Sequence, residues 1–408
     1  MKVLGIIAEY NPFHNGHLYH LNESKKIIHT DFTVCIMSGN FTQRGEPAMA
    51  NKWIRSRMAV DNGIDLVFEL PFAFACNNAE YFAKGAVDIL NSLGCISHLS
   101  FGSETGEIDV LNEAAEHLAV ESEELSFYIK EFVNQGISYP RARYEAMKKY
   151  AGDQCSEVLK DANNILAVEY LKQLKLLNSN MKPITVKRYG TGYHDKHTYK
   201  NIASATAIRD KIRVNQDFND VYEFLPKETA HILNTLDINR NVSMNDFYEL
   251  ILYNIINSDC NKLSNIFSAT EGLENRVIKA IFKASDAESL MKAIKSKRYT
   301  TTRIQRLLTH SLLNLDKDSF HDILNQKAIY ARVLAFNKKG AMLLKHIKKN
   351  ELNSIPIITN INKEISKDSK EWKLLFYDIK ASDIYNLVIY GEINTHSDFI
   401  KNPYKDFV

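Results

Sequence analysis

Apolar and polar positions over the first hundred residues fall into two alternating rhythms. Short runs rich in β-branched and aromatic residues, at Lys2 to Glu9, Asp31 to Met37, Asp65 to Leu70 and Ile96 to Phe101, read as buried strands. Between them, His17 to Ile28, Lys52 to Asn62 and Ala79 to Leu93 repeat their apolar residues at the helical period. Gly63 and Gly94 stand where the chain must leave the second and third of these helices. Strands alternating with helices predict a parallel sheet with helical crossovers, a doubly wound α/β unit. Such sheets bind ligands beyond the carboxyl ends of their strands. The residues least suited to packing follow those ends: NPFHNGH after the first strand, SGNFTQRGEP after the second and FGSETGE after the fourth.

From about 110 to 180 the pattern is helical, and Pro183 to Tyr189 is β-like before a turn-rich stretch that ends at IASATAIRDKI. These segments complete a first domain, 1–215, which would carry the catalysis. Residues 216–408 read as a second, mainly helical and basic region, with a small α/β element where NSIPIIT stands at 353–359. No glycine- or proline-rich linker separates the two, and no repeat or low-complexity tract interrupts them.

Composition adds class and compartment. With 408 residues, 45% hydrophobic and 25% charged, the chain is long enough for two or three packed cores. No apolar run is long enough to span a membrane, and Glu9 falls where a signal peptide would be apolar, so the expected location is the cytoplasm. The five cysteines are scattered without a CxxC pair, which excludes the usual zinc and redox patterns. Net charge is only +2 but unevenly placed: residues 1–210 carry −3, and 276–350 alone carry +12. That excess suits a polyanion, although solvated helix faces would read the same way.

The candidate chemistry begins at His14-Asn15-Gly16-His17, at the junction of the first strand and first helix. The free N–H groups and positive dipole end of a helix start already favour phosphate. Two imidazoles there can meet α-phosphate oxygens as charge builds in an in-line displacement. A pair of helix-start histidines without catalytic work, or a metal set of His14, His17 and His20, remain the competing readings; no cysteine or carboxylate nearby completes such a set. In IASATAIRD, Ser204, Thr206 and Arg209 sit at a predicted helix start, where hydroxyls and a guanidinium can hold the leaving pyrophosphate. A plain serine cap would look the same.

Together these motifs resemble the HxGH nucleotidyltransferase superfamily, with its Rossmann-like domain, and IASATAIR resembles that superfamily's second signature. Within it the chain is similar to the bacterial tRNA(Met) cytidine acetate ligase family through GIIAEYNPFHNGHLYHL, SGNFTQRGEPA, NKWIRSRMA, DLVFELP, FGSE, NNILAVEYL, VKRYGTGYHD, IASATAIR, SKRYTTTRIQRLL and VLAFNKKG. The resemblance implies ATP-dependent acetylation of the wobble cytidine of elongator tRNA(Met), through acetyladenylate, with acetate as acyl source. It implies ATP-binding positions at Ile7, Ala8, Glu9, Tyr10, Asn11, Pro12, Phe13, His14, Asn15, Gly16, His17, Leu18, Tyr19 and His20, then Gly102, Asn163 or Asn164, and Arg188. NNILA has alanine where the family pattern expects glycine, which leaves the two asparagines undecided.

Further cations could meet phosphate at Lys52, Arg55 or Arg57, while Gln43 and Arg44 would line the acetate or tRNA approach. Lys295, Lys297, Arg298, Arg303 and Arg306 become candidate tRNA-backbone contacts. Magnesium is expected with ATP, without a protein ligand that the sequence can name. Two alternatives share this site: an adenylyltransferase acting on a small phosphorylated metabolite, and a nonenzymatic RNA-binding protein. The basic region is surplus to the first, and intact histidines speak against the second.

Overall fold

The computed structural model describes residues 1–188, 201–215, 218–235, 242–327, 329–391 and 396–407. The end of the fifth predicted strand at Tyr189, the turn-rich stretch at 190–200 and most of the VKRYGTGYHD motif lie outside the described residues.

One sheet organises the chain. Its strands are β1 (Val3–Ala8), β2 (Phe32–Ser38), β3 (Leu66–Leu70), β4 (His98–Ser103), β5 (Lys182–Lys187), β6 (Ala331–Asn337), β7 (Ile357–Ile358) and β8 (Tyr404–Asp406). Their order is β5-β4-β1-β2-β3-β6-β7, with β8 also paired to β6. The first five are mutually parallel, so β1 pairs with β2 on one side and β4 on the other, and the winding reverses between β1 and β4.

Among the helices are α1 (Asn15–Ile28), α2 (Lys52–Asp61), α3 (Ala79–Ser92), α4 (Ala162–Leu176), α5 (Ala205–Asn215), α6 (Thr301–Leu313), α7 (Lys338–Lys349) and α8 (Lys370–Tyr390). Side chains alternate across a strand, and the central strands carry apolar residues toward both faces because both faces are covered. Val3, Val34, Ile36, Leu66 and Phe68 pack toward α3, α4 and α7. Leu4, Ile6, Cys35, Met37 and Val67 pack toward α1 and α2. Gly63 and Gly94 have φ of +100° and +67° just beyond α2 and α3, the left-handed exit that glycine permits.

The C-terminal part joins this sheet. β6 runs antiparallel to β3, pairing Arg332 with Glu69, and β7 and β8 extend β6 in parallel. The small element expected around 353–359 is thus realised as β7, which pairs with β6 at the edge of the main sheet, while β6 covers the edge of β3. A buried charge cluster ties the junction. Lys52 Nζ donates to Glu69 at 2.7 Å and to Asp398 at 2.8 Å, and Arg332 reaches the same two carboxylates at 3.2 and 2.9 Å. Burial alone would raise the Asp398 carboxyl, but Arg332 and Lys52 hold it down to about 2. Among the described residues no helix is long and apolar enough to cross a membrane.

Candidate active site

The HNGH segment occupies the crevice where the winding reverses. β1 ends at Ala8, Tyr10 to His14 are buried, and α1 starts at Asn15. His14 is the N-cap. Its Nδ1 accepts the Gly16 N–H at 3.0 Å, while the His17 Nδ1 accepts the His14 N–H at 3.2 Å, a reciprocal capping box built from two imidazoles. The rings stack with centroids 3.7 Å apart. A Cβ on Gly16 would lie 2.9 Å from His14 Cε1, so glycine here makes room for the His14 ring itself.

That geometry fixes the protonation chemistry. An Nδ1 that accepts a hydrogen bond leaves the proton of the neutral ring on Nε2, which becomes a donor. Burial, reinforced by Arg188 and Arg209, pushes His14 down to about 3. Burial and the neighbouring His14 push His17 well below its usual range, and His20 falls to about 4. Both rings of the pair are therefore neutral Nε2–H donors at physiological pH. His20 Nε2 is engaged with Ser100 Oγ at 3.0 Å. Among the described residues, His14, His17 and His20 do not cluster with a third His, Cys, Asp or Glu ligand atom closely enough to share an ion; a group that could occurs only at Glu113, His117 and Cys155.

The IASATAIR segment meets HNGH directly. Asn15 Nδ2 donates to the Asn201 carbonyl at 3.0 Å, which brings the start of α5 beside the start of α1. Ser204 caps α5 by accepting the Ala207 N–H at 3.1 Å. Arg209 donates to the Asn11 carbonyl at 2.9 Å, touches Thr206 Oγ1 at 3.4 Å and pairs with Glu46 at 3.5 Å. Two helix N-termini and a guanidinium thus converge, an arrangement suited to a polyphosphate.

On the β4 side, Gly102 lies under Arg188: a Cβ there would sit 3.0 Å from Arg188 Cγ. The two asparagines play different parts. Asn164 is buried, and its Oδ1 accepts the Glu104 N–H at 2.9 Å and the Thr105 N–H at 3.3 Å, so it holds the loop after β4. Asn163 is partly accessible and donates to Glu104 Oε1 at 2.5 Å. Glu104 was not singled out by sequence, although it stands in FGSE.

Three cations expected near phosphate are elsewhere. Lys52 is consumed by Glu69 and Asp398 inside the core. Arg55 is buried and donates to the carbonyls of Ala50, Ser38, Gly39 and Glu9, stitching the carboxyl ends of β1 and β2. Arg57 pairs with Asp61 at 3.3 Å. Carboxylates and carbonyls that the fold brings to them, invisible to charge counting, explain the difference.

The loop after β2 does reach the site. The Gln43 N–H donates to Glu9 Oε1 at 2.6 Å, and burial raises the Glu9 carboxyl despite Arg55, Arg209 and the exposed Arg44 nearby. Helix α6 closes over this loop from the far end of the chain. Gln305 donates to Glu46 at 3.0 Å, Thr309 to the Gly45 carbonyl at 2.7 Å, and Arg306 to the Gln43 carbonyl at 3.3 Å. A Cβ on Gly45, whose φ is +89°, would lie 2.5 Å from the Arg306 nitrogen. The signal for this contact was available: Gln305 and Thr309 are polar residues four apart on an otherwise apolar helix face. Of the other basic candidates, Lys295 and Lys297 are exposed, Arg298 is partly so, and Arg303 pairs with Glu271 at 2.8 Å over the Tyr299 ring.

Known proteins with this architecture agree. The family described as HIGH Nucleotidyl Transferase matches residues 1–398. A Clostridium perfringens protein named tRNA(Met) cytidine acetate ligase is 40% identical over 99% of both chains. One of the same name from Caldicellulosiruptor saccharolyticus is 44% identical over 95% of this chain and 94% of its own. The crystal structure of Thermotoga maritima TmcAL bound with alpha-thio ATP superposes with a TM-score of 0.92, at 30% identity and full coverage of both chains. By fold, motif and similarity over its length, the chain belongs to the HIGH nucleotidyl transferases and, within them, to the tRNA(Met) cytidine acetate ligase family.

Proposed function

We propose that this protein consumes ATP to activate acetate and transfers the acetyl group to N4 of the wobble cytidine of elongator tRNA(Met). The observation that carries the reading is the pair of neutral histidine donors at the α1 N-terminus, in a chain 40% identical over 99% of its length to a protein named for that reaction. An acetate oxygen attacks the α-phosphorus, and the bond to the bridging oxygen breaks as pyrophosphate leaves. His14 and His17 donate from Nε2 to the α-phosphate oxygens as their charge grows, and Arg188 and Arg209 with the two helix N-termini hold the phosphates. The cytidine amine then attacks the acetyl carbon, loses a proton, and AMP departs.

Ile7 to Glu9 and Asn15 to His20 are partly accessible and form the nucleotide-facing strip, with Gly102 and Asn163 toward the nucleoside. Magnesium accompanies the triphosphate as its counterion. Gln43 engages Glu9, Arg209 engages Glu46 and the two asparagines engage Glu104, so the ion would be held chiefly through the triphosphate it neutralises. Lys295, Lys297, Arg298 and Arg303 meet the tRNA backbone; residues 1–215 carry the activation chemistry, and 216–408 hold the tRNA and lend α6 to the site loop.

Purified protein given ATP, labelled acetate and a tRNA(Met) transcript is expected to place label on one cytidine. Labelled AMP accumulating in a small-molecule adduct, with the tRNA untouched, would overturn the reading.

A further inference from the structure

Arg306 is a cation with spare donors. It lies on the inner side of α6, and burial pulls its guanidinium down to about 10. A guanidinium carries five N–H donors. The hydrogen bond it makes is the long one to the Gln43 carbonyl, and no ion pair satisfies it among the described residues. Arg303, one turn earlier, shows the contrast: Glu271, Thr270 and the Tyr299 ring occupy its guanidinium. Withdrawing an arginine from water without an anionic partner is costly, and a fold that does so beside its active site has left room for an anion.

The neighbourhood says which anion. Gln43 links Arg306 to the site, since its carbonyl faces Arg306 while its N–H holds Glu9. Glu9 precedes Tyr10, whose ring centroid is 4.9 Å from that of His17. Cys76 lies close enough to both Arg306 and Glu9 to feel their charges, and burial keeps its thiol neutral. Glu9, Gln43 and Arg306 are partly accessible, whereas Cys76 and Asn77 behind them are buried. The backbone of α6 at Arg306 presses on Gly45, so no chain passes between helix and loop at that point.

We infer that Arg306 binds the carboxylate of the acyl substrate, with the Cys76 thiol as the apolar neighbour of its methyl group. The inference rests on acetate activation as proposed above and names the subsite that receives it. A planar guanidinium matches a carboxylate with paired, charge-assisted hydrogen bonds. Held from one side, the acid keeps an oxygen lone pair for the α-phosphorus, and fixing its direction supplies the orientation that an in-line attack needs. Arg306 therefore serves acetate rather than the tRNA backbone, to which its position in a basic segment had assigned it.

The test is acetate-dependent exchange of labelled pyrophosphate into ATP by the full-length protein, with tRNA acetylation measured in parallel. For Arg306→Ala the acetate KM rises about tenfold or more, while the KM values for ATP and tRNA stay within about twofold, as expected for loss of one charge-assisted pair. Arg306→Lys keeps the charge, loses the fork and falls between. The lysine variant also preserves a cation against the Gln43 carbonyl should alanine loosen the loop. An unchanged acetate KM in both variants overturns the inference. So does a rise in ATP KM that keeps step with acetate, which marks a collapsed loop, or a rise confined to tRNA, which marks a phosphate contact. Failure of the wild-type protein to exchange pyrophosphate in response to acetate would instead defeat the proposed function.

Discussion

Helices α1 and α6 both border the candidate active site, and they arrive there by different physics. α1 follows β1 directly, and its first turn carries its own chemistry: His14 caps it, His17 completes the cap, and both rings are set by contacts within four residues. α6 starts at Thr301, far along the chain from Asn15. It contributes Gln305, Arg306 and Thr309 to the 43–46 loop only because the packing of Ile304, Leu307 and Leu308 and the contact of its C-terminal end with α8, where Lys380 donates to the Leu313 carbonyl, hold it there. Local contacts make a site that a motif can name. Distant contacts make one that depends on the whole fold.

If that dependence is real, the sharpest blow falls on the charge cluster rather than on either helix. Lys52→Met leaves Glu69 and Asp398 facing each other with Arg332 alone between them, and breaking a buried pair in this way costs about 3–5 kcal/mol. Denaturant unfolding should show one transition moved to lower concentration. Two separated transitions would mean that β6 to β8 are an appendage rather than part of the sheet.

The α1 side should lose chemistry without losing the fold. His17→Ala removes one Nε2–H donor, and acetate-dependent pyrophosphate exchange is expected to fall about 100- to 1000-fold, the usual cost of one such donor. The helical circular dichroism should be retained. A drop of only a few-fold would leave the capping box as the purpose of the histidines.

Acid separates the two helices less, because each carries a buried neutral histidine. His14 and His310 both fall to about 3 through burial. The sign follows from the unfolded chain, which takes up protons below about 6.5 while the folded rings do not. Stability is therefore fully present above 6.5 and is lost as pH falls toward 3, at up to about 1.4 kcal/mol per pH unit for each ring. Thermal unfolding midpoints measured from pH 8 to pH 5 should stay level at first and then fall below about 6.5. Midpoints that rise on acidification would contradict the buried neutral state of these rings.

The mildest effect belongs to the exposed cations before α6. Replacing Lys297 and Arg298 with glutamine should weaken tRNA binding and lower the salt slope by about one to two, leaving acetate-dependent exchange intact. An unchanged slope would confine tRNA contact to other surfaces.

The sequence by itself determined the parallel core and the nucleotide end of the site. Strands buried on both faces are mainly apolar, glycines mark two helix exits, and HNGH and IASATAIR stand at helix starts, so each signal is complete within a few neighbouring residues. Tertiary structure alone decided what pairing across long separations decides. It placed β6 against β3, turned Lys52 and Arg55 from expected phosphate ligands into core links, and gave Asn164 to a loop and Asn163 to Glu104. It also turned Arg306 inward from a basic segment. A lysine or arginine has the same letter whether its charge meets water, a buried carboxylate or a substrate, and only the partner that the fold brings to it settles which.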